Sequence, residues 1–509
     1  MFVKIAKDCC TGKLPWILAA CGMMLPLMMV TIPPSIDLAQ HLHQIYLLKD
    51  MLLGDEYLHA DKVINYYAPG NMIFWLGFIC SFFVSSGWAL AKCLIAIPLL
   101  LHFFFGYKCF SARKDGLFTV LVTSVFLFSQ NMYWGFVNFL LGWPFFMAYC
   151  ATLKEGTYRR LKIPLLFIYL VLLYEAHSLW FAAAMLFTVI LLFTLNFSQD
   201  NAKRLFAVLL PFGILGALWF LGIREYRESS FDLKPQWLVE VWQRFSPRLL
   251  AIAMLGNIWY WLAAIFIELL LLYFFISIKR GYEIDKIFFA AGCMFLFFYV
   301  LFPDKFMNSI KFSSRWLPFS CICFALSLNP VVWGRANRFL AVVLVGVFVL
   351  TTGSLWRSFE RDELSGLKEA VSSIKTRGRV LGIAYLQESK YFSGKPFIQM
   401  FAYTSVSGTR ELNFSFVEHG SSIVSYKDKF SQHPWTSGIE WFPHSVKPSD
   451  FHYFDYVLVA GSPGEHKAFA LVPEFQLCSS ELVWRLYCRV EQLQPAAGKL
   501  KAISLRDSI

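Results

Sequence analysis

The sequence predicts a polytopic α-helical membrane protein of about 11 spans plus one re-entrant or interfacial helix, followed by a C-terminal α/β soluble domain. Three observations predict it. The 509 residues are 57% hydrophobic, include 53 Phe and are only 16% charged, more apolar surface than a soluble core absorbs. Apolar stretches follow one another near 14–32, 71–86, 88–106, 117–129, 132–152, 163–175, 177–196, 205–222, 250–277, 287–302, 316–333 and 339–356. After Trp356 that continuity stops. The division expected is therefore 1–356 for the membrane domain and 357–509 for the soluble one.

The net charge of +12 reads as orientation. Lys and Arg collect in cytoplasmic loops, and no basic patch is interleaved with aromatics, so no nucleic-acid partner is expected. Six basic groups mark the cytoplasmic side: Lys4/Lys7/Lys13, Lys108/Arg113/Lys114, Lys154/Arg159/Arg160/Lys162, Lys203/Arg204, Lys279/Arg280/Lys286 and Arg335/Arg338. They agree together if 71–86, bracketed by Gly70 and Gly87, does not cross completely. The run 14–32 is long enough to span and lacks a small-x-small cleavage site, so it is read as a retained first span. The N-terminus is then cytoplasmic, the C-terminal domain extracytoplasmic, and the bilayer itself the first partner.

This topology collects the polar residues on one side. Asp37, His41, His43, Asp55, Glu56, Asn131, Asn138, Glu175, His177, Asp304, Lys305, Lys311 and Arg315 lie in or beside external segments. A transporter would place ionisable groups at mid-membrane depth; Glu268 with Lys92 is the one such pair to consider.

Pro33-Pro34 closes the first span, and a helix over 35–52 is expected, capped by Ser35. Spacings of four and three put Asp37, His41 and Gln44 on one side and Leu38, Leu42, Ile45 and Leu52 on another. That describes an amphipathic helix lying along the outer surface, with Asp37 in its first turn, where the helix dipole favours an ionised carboxylate. A stripe that merely faces water would read the same way.

Three stretches carry a resemblance: "DLAQH" (Asp37–His41), "MLLGDE" (Met51–Glu56) and "INYYAPGNMIFWLG" (Ile64–Gly77). With "YWGFVNFLLGWPF" (Tyr133–Phe145) and "SSRWLPF" (Ser313–Phe319), they resemble the GT-C superfamily, integral-membrane glycosyltransferases that use lipid-phosphate-linked sugars. The resemblance implies a bacterial inner-membrane enzyme with a polyprenyl-phosphate sugar donor, a glycan, lipid or protein acceptor, and inversion at the anomeric carbon. It also implies an acidic base in the first external loop, sometimes with a divalent cation. Asp37 stands at that position. The later Asp55-Glu56 pair is a second candidate.

The chemistry assigns roles. A carboxylate accepts the proton of the attacking hydroxyl, which suits Asp37. The leaving phosphate needs cations or donors, which suits the fork of Arg315, with Lys305 and Lys311 assisting. His41 can orient Asp37, contact phosphate or bind a metal. Glu175 and His177 interrupt an apolar hairpin at its external tip. Each has a plainer role: Arg315 as a headgroup anchor, the lysines as lipid contacts, the Glu175–His177 pair as a turn. Rival readings are an envelope glycan polymerase or ligase, a transporter, and a non-catalytic scaffold.

Past Trp356, "FERDELSGLKEAVSSI" has helical spacing, "RVLGIAYL" and "FDYVLVAG" read as buried strands, and "EFQLCSSELVWRLYCRV" reads as a strand pair. Cys478 and Cys488 are placed to form a cross-strand disulfide in an oxidising compartment. Five His (419, 433, 444, 452 and 466) lack ligand spacing. "GSPG" (Gly461–Gly464) is similar to a phosphate-binding turn.

Overall fold

The computed structural model describes residues 12–54, 59–113, 115–154, 162–194, scattered positions between 203 and 217, 234–256, 284–306, 309–328, 335–408, 410–420, 422–428, 433–469, 472–479 and 482–490. Asp55, Glu56 and Glu268 lie outside the described residues.

Helices account for most of the first 363 residues. Leu14–Met23 and Leu25–Met28 are separated where Pro26 removes an amide from the ladder. Gly87–Phe110 and Asn337–Glu363 are long and apolar enough to cross a membrane. Shorter apolar helices run over Gly116–Ser124, Val137–Lys154, Lys162–Ala176, Ser178–Thr194 and Lys286–Leu301. The stretch expected to be re-entrant holds only a nine-residue helix, Met72–Cys80, about 14 Å at 1.5 Å per residue.

The expected span over 132–152 is broken in two. Gln130–Trp134 ends at Gly135, whose φ of +83° is left-handed, and a new helix starts at Val137. A Cβ on Gly135 would sit 2.6 Å from the Asp37 amide nitrogen, so this glycine serves both a turn and a close approach. Gly142, seven residues further on, lies against the Trp180 indole, where a Cβ would be 2.2 Å from the ring. Each glycine of the "YWGFVNFLLG" motif thus has a local physical reason.

Beneath Arg315 lies an aromatic core. Trp180 packs edge-on against Phe319 (centroids 4.9 Å apart) and Trp316 (5.3 Å), and Phe139 against Trp316 (5.1 Å). Trp180 Nε1 donates to the Phe139 carbonyl at 2.6 Å, giving the buried indole its partner.

Nine strands are described. β1 (Lys62–Ile64) pairs antiparallel with β6 (Val424–Tyr426), and β2 (Lys305–Phe306) with β3 (Ser309–Ile310). The other five, β4 (Arg379–Ala384), β5 (Glu411–Leu412), β7 (Tyr456–Ala460), β8 (Phe475–Ser479) and β9 (Trp484–Arg489), form one sheet in the order β5-β4-β7-β9-β8. The first two pairings are parallel and the last two antiparallel. Alternation sorts its side chains: Val380, Tyr456, Leu458 and Leu486 join the core that holds the helices, while Leu381, Ile383, Val457, Val459 and Tyr487 build a second core behind the sheet. β8 and β9 are joined by the Cys478–Cys488 disulfide, as the sequence suggests.

The GSPG turn is corrected. The helix Pro463–Phe469 does follow β7, but the Ser462 amide donates to Glu465 Oε2 at 2.6 Å. The chain's own carboxylate takes the place a phosphate would need.

Candidate active site

The helix after the first span runs from Leu38 to Leu53. It does not lie on a water-facing surface. Gln40, His41, His43 and Gln44 are all buried, so the polar stripe faces protein. Gln40 Nε2 donates to Gln399 Oε1 at 2.8 Å, His43 Nδ1 pairs with Ser405 Oγ at 2.8 Å, and Gln44 Oε1 accepts from the Val424 amide at 3.0 Å. Partners some 360 to 380 residues away explain polar spacing that looks like a solvated face in sequence. Ser35 is not the cap; its hydroxyl donates to the Met132 carbonyl at 2.8 Å.

Asp37 occupies the cap position but makes no side-chain capping bond. Its backbone is anchored to the broken span: the Ile36 amide donates to Tyr133 O at 3.0 Å and the Asp37 amide to Trp134 O at 3.1 Å. The carboxyl group is half-buried. Loss of water raises its pKa to about 7, against the lowering pull of the Arg315 guanidinium. The helix dipole was expected to hold Asp37 ionised; desolvation prevails instead, leaving a group that gains and loses its proton near neutrality.

Arg315 stands just before the helix Leu317–Ser327 and is buried. Its guanidinium lies 3.7 Å from the Phe136 ring centroid and 5.7 Å from that of Phe139. Nη2 donates to Ser309 Oγ at 2.8 Å and to the Ile310 carbonyl at 2.9 Å. Nε has no hydrogen-bond partner among the described residues. Burial pulls its pKa down to about 9, with Asp37 acting the other way; at neutral pH it stays charged. Asn131 joins the two halves, donating from Nδ2 to the Arg315 carbonyl at 3.0 Å.

The other candidates fall out differently. His41 Nε2 hydrogen-bonds the Gly135 carbonyl at 2.9 Å; burial lowers its pKa to about 4, so it is a neutral imidazole and supplies no charge to a phosphate. His177 belongs to the site electrostatically: burial, then the nearby Arg315 charge, lower its pKa to about 3. Its ring packs edge-on at 5.3 Å against Phe139 and its Nδ1 accepts from the Leu179 amide at 3.0 Å. Glu175, on the same tip, is half-buried with its pKa raised by burial and makes no hydrogen bond or ion pair among the described residues. Lys305 sits on the β2–β3 hairpin opposite Ile310, and its ammonium makes no such bond among the described residues. Lys311, left-handed at φ 56°, holds its ammonium 6.0 Å from the Trp134 ring centroid.

Two features escape sequence reading. Arg244 is buried and donates to the carbonyls of Tyr299 and Phe302, each at 2.7 Å, and to Asp304 Oδ2 at 3.0 Å. Asp304 also takes the Ser313 hydroxyl at 2.8 Å, so it braces the approach to Arg315 and is not free to act in the site. Glu360 closes the end of the first span, accepting from the Thr31 and Ile32 amides. Neither is signalled by spacing.

Asp37 and Arg315, set on a broken span and over an aromatic core, belong to a GT-C-like membrane-protein fold. The chain is similar to the crystal structure of ArnT from Cupriavidus metallidurans in the apo state, with a TM-score of 0.55 and 10% identity over 94% of this chain and 98% of that one. It is also similar to ArnT from the same organism bound to undecaprenyl phosphate, with a TM-score of 0.50 and 10% identity over 93% and 98%. No protein-family model matches the chain, and no curated protein does.

Proposed function

We propose that the protein transfers a sugar from a polyprenyl-phosphate-linked donor to a glycan, lipid or protein acceptor on the extracytoplasmic face of a bacterial inner membrane. The observation that carries this reading is a half-buried carboxyl of near-neutral pKa, Asp37, within electrostatic reach of a buried arginine whose Nε has no partner among the described residues. The fold shared with an ArnT structure that binds undecaprenyl phosphate supports the lipid class.

In this reaction the acceptor hydroxyl attacks the anomeric carbon and its proton passes to the Asp37 carboxylate. The bond from that carbon to the phosphate oxygen breaks, and the lipid phosphate leaves with the electron pair. Arg315 meets the growing negative charge. Neutral His41 acts on the Gly135 carbonyl, and Gly135 packs on Asp37, so His41 is a positioning residue. Among the described residues no three His, Cys, Asp or Glu side chains gather as metal ligands, and a lone carboxylate facing a guanidinium does not fit a divalent cation. We assign no step to one.

The test is incubation of the purified protein with radiolabelled polyprenyl-phosphate sugars and candidate acceptors, comparing wild type with Asp37→Asn. Transfer by the wild type and its loss in the variant support the reading. Transfer unchanged in Asp37→Asn overturns it and favours a polymerase or ligase that works through external Arg and His.

A further inference from the structure

A polar cavity lies away from Asp37. It measures about 410 Å³ and is walled by the far end of the Leu38–Leu53 helix, by β1 and β6, and by the edge of the five-stranded sheet. His43, Leu47 and Asp50 face it, at spacings of four and three, so it occupies one side of that helix. From Asp37 the helix axis advances about 9 Å to His43 and about 20 Å to Asp50 at 1.5 Å per residue, so the cavity begins more than one turn beyond the proposed catalytic centre.

The charges in this cavity do not cancel. Its three carboxylates are engaged by neighbours. Glu411 pairs with Arg379 at 2.7 Å, Asp455 Oδ2 accepts from the Arg379 amide at 2.9 Å, and Asp50 lies 3.9 Å from His59 Nε2. Two guanidiniums remain. Arg410 is 6% exposed, yet makes no hydrogen bond or ion pair among the described residues, and its buried Nε has no partner. Arg377 is exposed and likewise unpaired among the described residues. Burial lowers the Arg410 pKa, Tyr456 opposes this, and the Arg377 charge is near enough to add to the lowering. Two like charges held together, one of them buried, are costly unless an anion sits between them.

We propose that this cavity binds a small phosphate monoester of sugar size, its phosphate oxygens shared between Arg377 and Arg410. Guanidinium forks match phosphate geometry in the bidentate manner. The volume falls within the roughly 300–1,000 Å³ of small-molecule sites and leaves room beyond a phosphate group. The lining also holds Leu47, Tyr426 and Tyr453, apolar and aromatic side chains suited to a sugar ring. The inference does not depend on the role given to Asp37.

The experiment is isothermal titration of the full-length protein in nanodiscs of neutral lipid, with hexose 1-phosphate, inorganic phosphate and the neutral hexose as separate ligands. The expected result is that hexose 1-phosphate binds at least tenfold tighter than the neutral hexose and that Arg410→Gln weakens it at least tenfold. Arg377→Gln, at an exposed position that leaves packing intact, should do the same, while Asp37→Asn should bind as wild type. Nanodiscs containing phosphatidic acid distinguish the source: if that lipid blocks the sugar phosphate, the natural phosphate is carried by a lipid headgroup; if it does not, the ligand is soluble. Equal affinity for neutral and phosphorylated hexose overturns the proposal. So does binding unchanged in Arg377→Gln, or binding lost in Asp37→Asn, which would place the ligand at the other site.

Discussion

His41 Nε2 and the carbonyl of Gly135 are joined by a 2.9 Å hydrogen bond. A carbonyl only accepts, so Nε2 carries the proton and the buried Nδ1, which has no partner among the described residues, keeps a lone pair. His41 thereby ties Asp37's own helix to the left-handed turn that packs on Asp37, and it does so without charge.

Asp37→Asn is expected to lower transfer by about 10²- to 10⁴-fold, the usual contribution of a general base, with thermal stability in detergent little changed. A base works deprotonated. With a pKa raised to about 7, the wild-type rate should fall as pH drops below about 7 and level off above it. Initial rates with a labelled lipid donor from pH 5 to 9 check this, and a rate flat down to pH 5 contradicts it.

Arg315 acts on the same titration, since its charge draws the Asp37 pKa down. Arg315→Met should shift the acid limb to higher pH as well as slow transfer, by roughly 10²- to 10³-fold if it removes a main donor to the leaving group. Arg315→Lys keeps the charge and loses the fork, so its limb should stay near the wild-type position while the rate still falls. A common limb for all three proteins would separate Arg315 from Asp37.

Gly135→Ala forces a side chain into a left-handed residue and onto the Asp37 backbone. Gly142→Ala drives a methyl into the Trp180 ring. Each should cost about 1–3 kcal/mol, seen as a lower melting temperature in detergent. Only Gly135→Ala should also depress transfer beyond its loss of folded protein.

Arg244→Ala leaves Asp304 and three backbone carbonyls without their buried donor. Breaking a buried pair typically costs about 3–5 kcal/mol. Arg244→Ala combined with Asp304→Asn should be less destabilised than the two single effects added together, measured by thermal unfolding. Strict additivity would show that the two side chains do not share this energy.

Arg113 pairs with Asp285 at 2.9 Å and bonds the Leu326 carbonyl, and Arg338 pairs with Asp115 at 2.9 Å. The basic groups assigned to the cytoplasm thus include two that share one end of the bundle, opposite Arg315 along the helix Leu317–Ser327. Cys109, half-buried near that end, should resist a membrane-impermeant maleimide in intact cells and react after permeabilisation. Labelling from outside would reverse the orientation.

Much of this was readable from residues alone, and the gaps have physical causes. Hydropathy marks the helices, and short apolar runs bounded by turn residues mark β4 and β7, both almost wholly buried, because those patterns reflect burial directly. Asp37 and Arg315 stand out as charges at the ends of apolar runs. The burial of the Leu38–Leu53 helix was not legible, since Gln40, His43 and Gln44 have polar partners beyond residue 398 and local spacing cannot distinguish such a partner from water. The break at Gly135 hid inside an unbroken apolar stretch for the same reason: a left-handed residue changes direction without changing hydropathy. Arg244 sat in a polar segment that gave no hint of burial.

Because the polar stripe of the helix that follows Asp37 is covered by Gln399, Ser405 and Val424, this early-made helix must wait for late-made partners. At about 5–20 residues per second of synthesis, that interval is on the order of tens of seconds. Throughout it, a helix with several uncovered amides and imidazoles has to be shielded at the membrane surface, so the nascent chain has a window of vulnerability that ends only when its last third emerges.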